Sequence, residues 1–322
     1  MLSVYVPRDG LLERMTIEPG ERPPEHTVWV DLVSPTVQED KVVEQLLGVA
    51  VPTREEMQEI EVSSRLYVEN GARYMTATLM CQSDTDTPRT TPVTFILSSH
   101  RLVTVRYDDP RPFAIVGHKL GRACPPKVAG DTVLMDLLDA VIDRSADILE
   151  RIGAEIDQIS HTIFEPEADE TPSYNDVLKA LGRKGDLTSK VRESLVSIGR
   201  VLLFLANEAE TMKWAKDMRT QVQSMQRDVV SLTDHASYIS NKVTFLLDAM
   251  LGVVNIQQNA IIKIFSVAAV VLMPPTLVAS IYGMNFKHMP ELEFEFGYPL
   301  AIVVMILAAV LPYMWFKWKK WL

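Results

Sequence analysis

A glycine and an asparagine stand together at the end of a long apolar run, in the tetrapeptide Tyr282-Gly283-Met284-Asn285. The amide oxygen of Asn285 and the backbone carbonyls around Gly283 are neutral oxygen ligands. Rings of such oxygens can hold a cation when several copies surround one axis. The same pair of residues is also typical of a helix C-cap, where glycine lets the chain turn. The two interpretations are compatible, and the residues alone favour the cap.

A stripe of small and polar side chains leads up to this tetrapeptide at helical spacing. It begins with a carboxylate, becomes apolar and ends in hydroxyls. A helix that faces lipid does not need such hydroxyls, so the stripe predicts either a contact with a neighbouring helix or a water-filled lumen. Its members are Asp248, Gly252, Asn255, Asn259, Ile262, Ser266, Ala269, Met273, Thr276 and Ser280.

Repetition around an axis would give the members of this stripe different roles. Asp248 is the only acid among them and would form a carboxylate ring at one mouth, with ordinary stalk surface as the alternative. Asn255 and Asn259 would follow it as hydrophilic rings. Hydrophobic constrictions, which can gate a pore by dewetting, would come from three large apolar residues. These are Ile262, Phe265 and Met273.

Two apolar runs without a charged side chain position the tetrapeptide, Ile264 to Ile281 and Tyr298 to Phe316. Each is about 18–20 residues long, which is the length that a helix needs to cross the hydrocarbon layer. Lysines and tryptophans after the second run indicate a cytoplasmic end and an interfacial belt. We therefore expect a membrane protein with both termini in the cytoplasm and residues 282–297 outside. The residues concerned are Lys317, Lys319, Lys320, Trp315, Trp318 and Trp321.

The N-terminal part predicts an α/β domain. Strand-like runs occur at 26–33, 93–98 and 102–106, and the last two are close enough to form a hairpin. Ser34-Pro35 fits the N-cap and first position of a helix. Thr53 with Glu56 three residues later fits a capping box.

A helical stalk is predicted after this domain. From Val133 onward the hydrophobic period is helical, and the most regular heptad stripe extends from Val222 to Val253. No proline occurs between Pro172 and Pro274. Since nothing interrupts the helix before the membrane, we expect the stalk and the first membrane helix to be continuous.

Composition excludes several classes of function. The chain has 322 residues and a formal net charge of −10, which argues against nucleic acid because phosphate binding requires clustered Lys and Arg. Cys81 and Cys124 form no ligand cluster and predict reduced thiols. The six histidines have no metal-ligand spacing and no nucleophile motif, so we expect no enzyme. A glycine-rich phosphate-binding loop, and with it a nucleotide partner, is also not indicated.

Three short motifs resemble the signature of the CorA magnesium channels. They are Tyr282-Gly283-Met284-Asn285-Phe286, Met289-Pro290-Glu291-Leu292 and Phe296-Gly297-Tyr298-Pro299. The resemblance extends through both apolar runs to the lysine-rich C-terminus. It implies an α+β protein of the bacterial inner membrane, with two membrane helices per subunit and a homopentameric pore. It also implies Mg²⁺ influx driven by the membrane potential and gated by cytoplasmic Mg²⁺ bound between subunits.

The resemblance assigns roles to particular residues. Gly283, Met284 and Asn285 become the selectivity filter, with Tyr282 bracing it, and the polar stripe becomes the pore lining. An acidic outer mouth would attract cations through Glu291, Glu293 and Glu295, although Lys287 departs from the acid expected there. The regulatory metal ligands are expected among four acids. These are Asp84, Asp86, Asp228 and Asp234.

The expected organisation has six segments. These are a cytoplasmic α/β domain (1–130), a helical stalk (131–260), a pore-lining membrane helix (261–283), an extracytoplasmic loop (284–297), a second membrane helix (298–317) and a basic tail (318–322). Two alternatives stay open. The same fold could transport Co²⁺, Ni²⁺ or Zn²⁺, although Met284 favours magnesium over zinc, or the protein could be a non-conducting membrane-anchored scaffold.

Overall fold

The computed structural model describes residues 1–18, 21–85, 87–125, 127–165, 173–286, 289–290 and 295–319. The chain divides into two compact units, Met1–Leu246 and Leu247–Leu322. We refer to them as the N-terminal unit and the C-terminal unit. An α/β region with two C-terminal apolar helices confirms the predicted fold class.

The secondary structure in the described residues alternates strands and short helices before it becomes entirely helical. The strands are β1 (Leu2–Arg8), β2 (Leu11–Ile17), β3 (Trp29–Val33), β4 (Leu66–Glu69), β5 (Ala72–Cys81), β6 (Arg89–Ser98) and β7 (Arg101–Arg106). The helices are α1 (Val37–Leu47), α2 (Arg54–Gln58), α3 (Val62–Arg65), α4 (Arg111–Leu120), α5 (Gly130–Phe164), α6 (Tyr174–Glu208), α7 (Lys216–Tyr282) and α8 (Gly297–Trp318).

The strands form one seven-stranded sheet in the order β2-β1-β3-β7-β6-β5-β4. β3 and β7 are parallel, and the other neighbours are antiparallel. The predicted hairpin is confirmed, since Ser98 pairs with Arg101. Its turn places Ser99 at φ +51°, so a serine adopts the left-handed conformation that a glycine would adopt more easily.

The sheet is covered on both faces. Val43 of α1 and Met57 of α2 are buried in one apolar cluster with β-strand residues such as Val30 and Val103. On the other face, the ring of Phe113 on α4 packs against the rings of Trp29 and Phe95. Helix α6 reaches β5, where Ser197 Oγ accepts a hydrogen bond from the Thr78 backbone N–H at 2.8 Å. Because both faces of the sheet are buried, the sequences of the central strands are nearly continuous hydrophobic runs.

The two capping predictions have different outcomes. Thr53 and Glu56 form the predicted capping box at the start of α2. The prediction for Ser34-Pro35 is wrong, because Thr36 is the N-cap of α1 and forms a capping box with Glu39. Ser34 has a left-handed φ of +44°, whereas an N-cap residue is extended. Thr36 is extended and its hydroxyl accepts the Glu39 backbone N–H, so α1 starts two residues later than expected.

A buried polar network lies where β3 and β7 meet. Arg106 Nη2 lies 2.9 Å from Asp31 Oδ2, and the two side chains are 7% and 2% exposed. Thr104 donates to Asp31 at 2.8 Å and accepts from the indole N–H of Trp29 at 2.9 Å. The Arg106 guanidinium also lies 4.7 Å from the ring centre of Phe113 on α4. The network therefore ties two parallel strands to the helix that follows them.

The helices α6 and α7 pack in antiparallel directions within the N-terminal unit. A side-chain carbon added at Gly199 would lie 3.3 Å from Cγ1 of Val229, and one at Gly185 would lie 3.5 Å from Cγ1 of Val243. The heptad stripe of α7 is buried in this unit, as the coiled-coil spacing predicts. Its buried members are Val222, Met225, Val229, Ala236, Ile239, Val243 and Leu246. The continuity of α7 from Lys216 to Tyr282 is also confirmed.

Replacing Arg106 by Met should destabilise the protein by about 3–5 kcal/mol, because Asp31 would keep a buried charge without its cation. Chemical unfolding of the full-length protein in detergent, followed by circular dichroism, measures the loss. Arg89→Met is the matched control, since Arg89 pairs with Asp108 while 54% exposed and should cost only about 0–1 kcal/mol. Equal losses in both variants would contradict the role of the buried network.

Two glycines on α6 should respond differently to alanine. No heavy atom lies within 4 Å of the added carbon at Gly182, so Gly182→Ala should raise stability by about 1 kcal/mol through helix propensity alone. Gly199→Ala adds the same propensity but presses on Val229, so it should be less stable than Gly182→Ala. Thermal unfolding of the two variants side by side measures the difference, and identical midpoints would refute close α6–α7 packing.

Candidate functional site

The tetrapeptide lies at the C-terminal end of α7. The Gly283 N–H donates to Ala279 O at 3.0 Å, and the Met284 N–H donates to Ile281 O at 3.2 Å. These bonds tighten the last turn, as expected of a helix end. Gly283, Met284 and Asn285 are exposed, and Tyr282 is half-buried.

Glycine at position 283 does not play the conformational role that was expected of it. Gly283 is not among the described residues with a left-handed φ, so the turn does not depend on its conformational freedom. A side-chain carbon there would instead lie 3.2 Å from Ala279 O and 3.6 Å from Ser280 O. Glycine thus leaves no side chain beside these carbonyl oxygens, of which Ala279 O also accepts the Gly283 N–H. Carbonyls at a helix C-terminus carry the negative end of the helix dipole, which favours a nearby cation.

The polar stripe is exposed along the C-terminal unit. Its members include Asp248, Asn255, Asn259, Ser266, Thr276 and Ser280, and the large apolar residues predicted as constrictions are exposed with them. Ile262, Phe265 and Met273 are 61%, 71% and 67% exposed. Large apolar side chains and hydroxyls therefore share a face that no part of the described chain covers.

The face of α7 that contacts α8 lies next to the polar stripe. Val267 is 7% exposed, and it lines a cavity together with Phe316 of α8, which is 8% exposed. Val271, Pro274 and Val278 continue this face as half-buried residues. These three residues lie one or two positions along the sequence from a member of the polar stripe. Because each position rotates a side chain by about 100° around the helix axis, they point in a different direction from the stripe. Asn259, Ile262 and Ser266 of the stripe line the same cavity, so the packing with α8 borders the stripe and leaves its remaining members exposed.

The hydroxyls of the stripe use their protons within α7. Ser266 donates to Ile262 O, Thr276 to Leu272 O and Ser280 to Thr276 O, each at 2.8 Å. The oxygen lone pairs of these hydroxyls remain on the exposed face as acceptors. A row of acceptors can receive hydrogen bonds from the water shell of a cation, and it does not require a donor from a neighbouring helix.

The predicted outer mouth is described only in part. Glu295 is exposed and follows the gap in the description, and Met289 and Pro290 precede it. Glu291, Glu293 and Lys287 lie outside the described residues. The attraction of cations by this loop stays a prediction.

Among the four acids predicted to bind a regulatory metal, Asp84 is engaged by three arginines. It accepts from Arg144 at 2.6 Å, from Arg111 at 2.9 Å and from Arg151. The hydrogen bond from Arg151 and the charges of the other two guanidiniums hold the pKa of Asp84 below its ordinary value of 3.8. No signal in the local sequence pointed to these arginines, because they lie 27 to 67 positions away.

The other predicted regulatory acids are not gathered into a ligand set. Asp228 and Asp234 are exposed on α7, and Asp86 lies outside the described residues. Partial desolvation, followed by the charges of Asp143, Asp136 and Asp228, raises the pKa of Asp139 on α5, a carboxylate that the sequence analysis did not single out. In the described part of the chain, no group of three or more His, Cys, Asp or Glu side chains is arranged to hold a metal.

Comparison with known proteins places the chain among magnesium transporters. A family model described as CorA-like Mg²⁺ transporter protein matches residues 24–319. The magnesium transport protein CorA of Escherichia coli K12 is 37% identical over 324 residues, with 100% of both chains covered. The solved CorA magnesium transporter from Methanocaldococcus jannaschii has a TM-score of 0.78 at 17% identity, covering 100% of this chain and 99% of that one. Full-length CmaX has a TM-score of 0.73 at 13% identity, covering 100% and 98%. At these identities the two structures establish the fold alone.

Asp84→Asn should destabilise the protein at neutral pH, because three arginines would lose their carboxylate. A depressed pKa contributes stability above the unfolded pKa of about 3.8, and this contribution is lost as pH falls through the lower folded value. The difference in thermal midpoint between wild type and Asp84→Asn should therefore shrink as pH falls below 3.8 and disappear below the lower, folded pKa. Asp186→Asn is the control, since Asp186 is 56% exposed and pairs with Lys190 alone. A difference that persists in acid would exclude the arginine cluster as its cause.

Proposed function

We propose a transport mechanism for this chain, which belongs to the CorA-like Mg²⁺ transporter family. Several copies surround a common axis, the polar stripe of α7 lines the pore, and Mg²⁺ enters the cell through it. The observation that carries the proposal is the exposed row of hydroxyl acceptors on a helix long and apolar enough to cross a membrane. The protein acts as a transporter and not as an enzyme.

The oligomer is required by the number of membrane helices. Two helices per chain cannot enclose an ion path, so the pore needs copies related by a cyclic axis. The homopentamer is the arrangement that the family resemblance implies. In it, residues 261–283 form the inner ring, residues 298–317 lie outside, and the 1–130 and 131–260 segments face the cytoplasm with the 318–322 tail.

Selection occurs at the outer end of α7. Mg²⁺ demands octahedral oxygen geometry and releases its inner waters reluctantly. A ring of Asn285 amide oxygens accepts hydrogen bonds from those waters, so the ion keeps its inner shell. The carbonyls beside Gly283 add acceptors and the negative end of the helix dipole. Met284 completes the filter, Tyr282 braces it, and the loop that contains Glu295 raises the local cation concentration.

The remaining residues of the polar stripe form the path of the ion and the constrictions that close it. Asn255 and Asn259 provide hydrophilic rings, and Asp248 provides a carboxylate ring at the cytoplasmic mouth. Ile262, Phe265 and Met273 form the constrictions that close by dewetting. Between them, Ser266, Ala269, Thr276 and Ser280 keep the wall narrow and rich in acceptors.

The membrane potential drives entry. With the lysine-rich end inside, a divalent ion that moves inward gains about 4.6 kcal/mol per 100 mV, twice the value for a single charge. Cytoplasmic Mg²⁺ bound between subunits closes the channel. Asp228 and Asp234, which are exposed on α7, are the stronger candidates for this regulatory site. Asp84 would have to exchange its arginines for the metal, and Asp86 adjoins it in sequence.

Mg²⁺ uptake into proteoliposomes under an imposed inside-negative potential tests the proposal. Asn285→Ala should abolish uptake while the oligomer survives, because the filter would lose its amide oxygens. Asn241→Ala is the matched control, since Asn241 is an exposed amide on α7 outside the polar stripe and should leave uptake unchanged.

Three results would contradict the proposal. Equal conduction by Asn285→Ala would reduce Asn285 to a helix cap. Uptake of Co²⁺, Ni²⁺ or Zn²⁺ in preference to Mg²⁺ would keep the fold and change the ion. A dimer or trimer by native mass, without uptake, would indicate a scaffold.

A further inference from the structure

Three arginines converge on one carboxylate at the surface of the N-terminal unit. Arg144 Nη2 and Arg111 Nη1 lie 2.6 and 2.9 Å from Asp84 Oδ2, and Arg151 Nη1 contacts Asp84 Oδ1. The neighbouring Ser83 accepts from the same helices, at its hydroxyl from Arg144 at 2.9 Å and at its backbone carbonyl from Arg151 at 2.8 Å. Guanidinium groups of α4 and α5 therefore hold the loop between β5 and β6.

The charges of this cluster do not balance. Asp84 brings one negative charge to three positive ones. A cavity beside Asp84 contains two further acids, but each has a lysine of its own. Glu155 pairs with Lys184, and Asp186 pairs with Lys190 at 2.6 Å. Within the described residues, two of the three positive charges are therefore left without a paired carboxylate.

The cluster also has more hydrogen-bond donors than acceptors. Each guanidinium carries five N–H groups, and each uses a single nitrogen on Asp84 rather than the two of a bidentate pair. Arg144 Nε is buried and has no hydrogen-bond partner in the described part of the chain. The side chains of Arg111, Arg151 and Asp84 are 64%, 39% and 42% exposed, so a dissolved anion can reach the cluster.

The adjoining cavity is polar and has a volume of about 540 Å³. Hydroxyls of Ser83 and Thr85 line it on the loop, and Arg151, Arg183 and Lys184 line it on the two long helices α5 and α6. Cationic and hydroxyl side chains around a cavity are suited to an anion that carries a polar organic group. The cavity therefore extends the arginine cluster into a site larger than a single carboxylate.

We propose that Arg111, Arg144 and Arg151 form a binding site for a phosphate dianion and that Asp84 competes with this ligand for the arginines. A phosphate group brings nearly two negative charges and three strong acceptor oxygens. It thus matches both the excess charge and the excess donors, and the planar fork of arginine fits its geometry. The group can belong to inorganic phosphate or to a phosphate monoester whose organic part lies in the cavity.

Calorimetric titration of the full-length protein in detergent with sodium phosphate tests this inference. At about pH 8, above the second pKa of a phosphate group, wild type should give a saturable heat. Asp84→Asn should bind phosphate about tenfold more tightly, because the competitor loses the charge that holds the arginines. Phosphate should also restore part of the thermal midpoint that this variant loses. Glu13→Gln removes an equal charge from an exposed pair with Arg8 and should leave the affinity unchanged.

Removing an arginine should have the opposite effect. Arg111→Gln deletes one charge-assisted hydrogen bond and should weaken phosphate binding about tenfold, while its 64% exposure keeps the fold intact. Arg8→Gln is the matched control, since Arg8 is 72% exposed and pairs with Glu13. Sodium chloride at the same ionic strength should give no saturable heat, which separates binding from general screening.

Glycerol 3-phosphate separates the two sources of the phosphate group. Binding as tight as that of inorganic phosphate, or tighter, assigns the cavity to a monoester, and weaker binding identifies the free ion as the ligand. The inference is overturned if neither wild type nor Asp84→Asn binds phosphate at millimolar concentrations, or if Asp84→Asn binds no more tightly than wild type. Equal losses in Arg8→Gln and Arg111→Gln would also overturn it. The titration records binding and not transport, so its outcome is independent of the conduction proposal.

Discussion

Hydrogen bonding of polar groups inside a membrane is the constraint on which the C-terminal unit depends. A polar group in hydrocarbon must find its partner within the protein, since water is not available there. The hydroxyls of Ser266, Thr276 and Ser280 meet this requirement inside α7, through carbonyls four residues earlier. The helix can therefore enter the membrane with a polar stripe before any other copy is present. The same bonds orient oxygen lone pairs outward, where a hydrated cation can use them.

Helix periodicity separates the two faces of α7. The face centred on Val267 packs on α8. The polar stripe lies about one residue away and stays exposed, although Asn259, Ile262 and Ser266 border the cavity between the two helices. A shift of a single position along the sequence is enough, because it rotates a side chain by about 100°. The contact with α8 and the exposed hydroxyls thus lie on neighbouring sides of one helix. At the end of the helix, Gly283 has no side chain to lie against the carbonyl oxygens of the last turn.

The N-terminal unit is held by charge pairs between segments that are distant in sequence. Arg106 forms a buried ion pair with Asp31 on the neighbouring parallel strand. The two residues are adjacent in the sheet but 75 positions apart in the sequence. Asp84 collects arginines from α4 and α5 on the surface. Three guanidiniums around one carboxylate compete with a metal ion for the same oxygen atoms. The family's mode of regulation therefore cannot be transferred to Asp84 without a change in its partners.

The sequence by itself determined the features that depend on local periodicity and composition. Both apolar helices, the continuity of α7, the capping box at Thr53 and the hairpin between β6 and β7 follow from patterns within a few turns or strands. The tetrapeptide at the end of α7 was also found in this way. The N-cap of α1 was displaced because two competing capping signals lie within three residues, and only the folded chain selects between them.

Tertiary structure decided which residues meet. The arginines around Asp84, the partner of Arg106, the contact of Gly199 with Val229 and the cavity between α7 and α8 join positions far apart in the chain. The closeness of position 283 to a carbonyl oxygen likewise emerged only from the structure. Hydrophobic periodicity predicts which face of an element is buried, but the partner of that face depends on how all the elements pack together. Local sequence therefore determined the membrane helices and the candidate filter, while long-range packing determined the charge environment of the remaining sites.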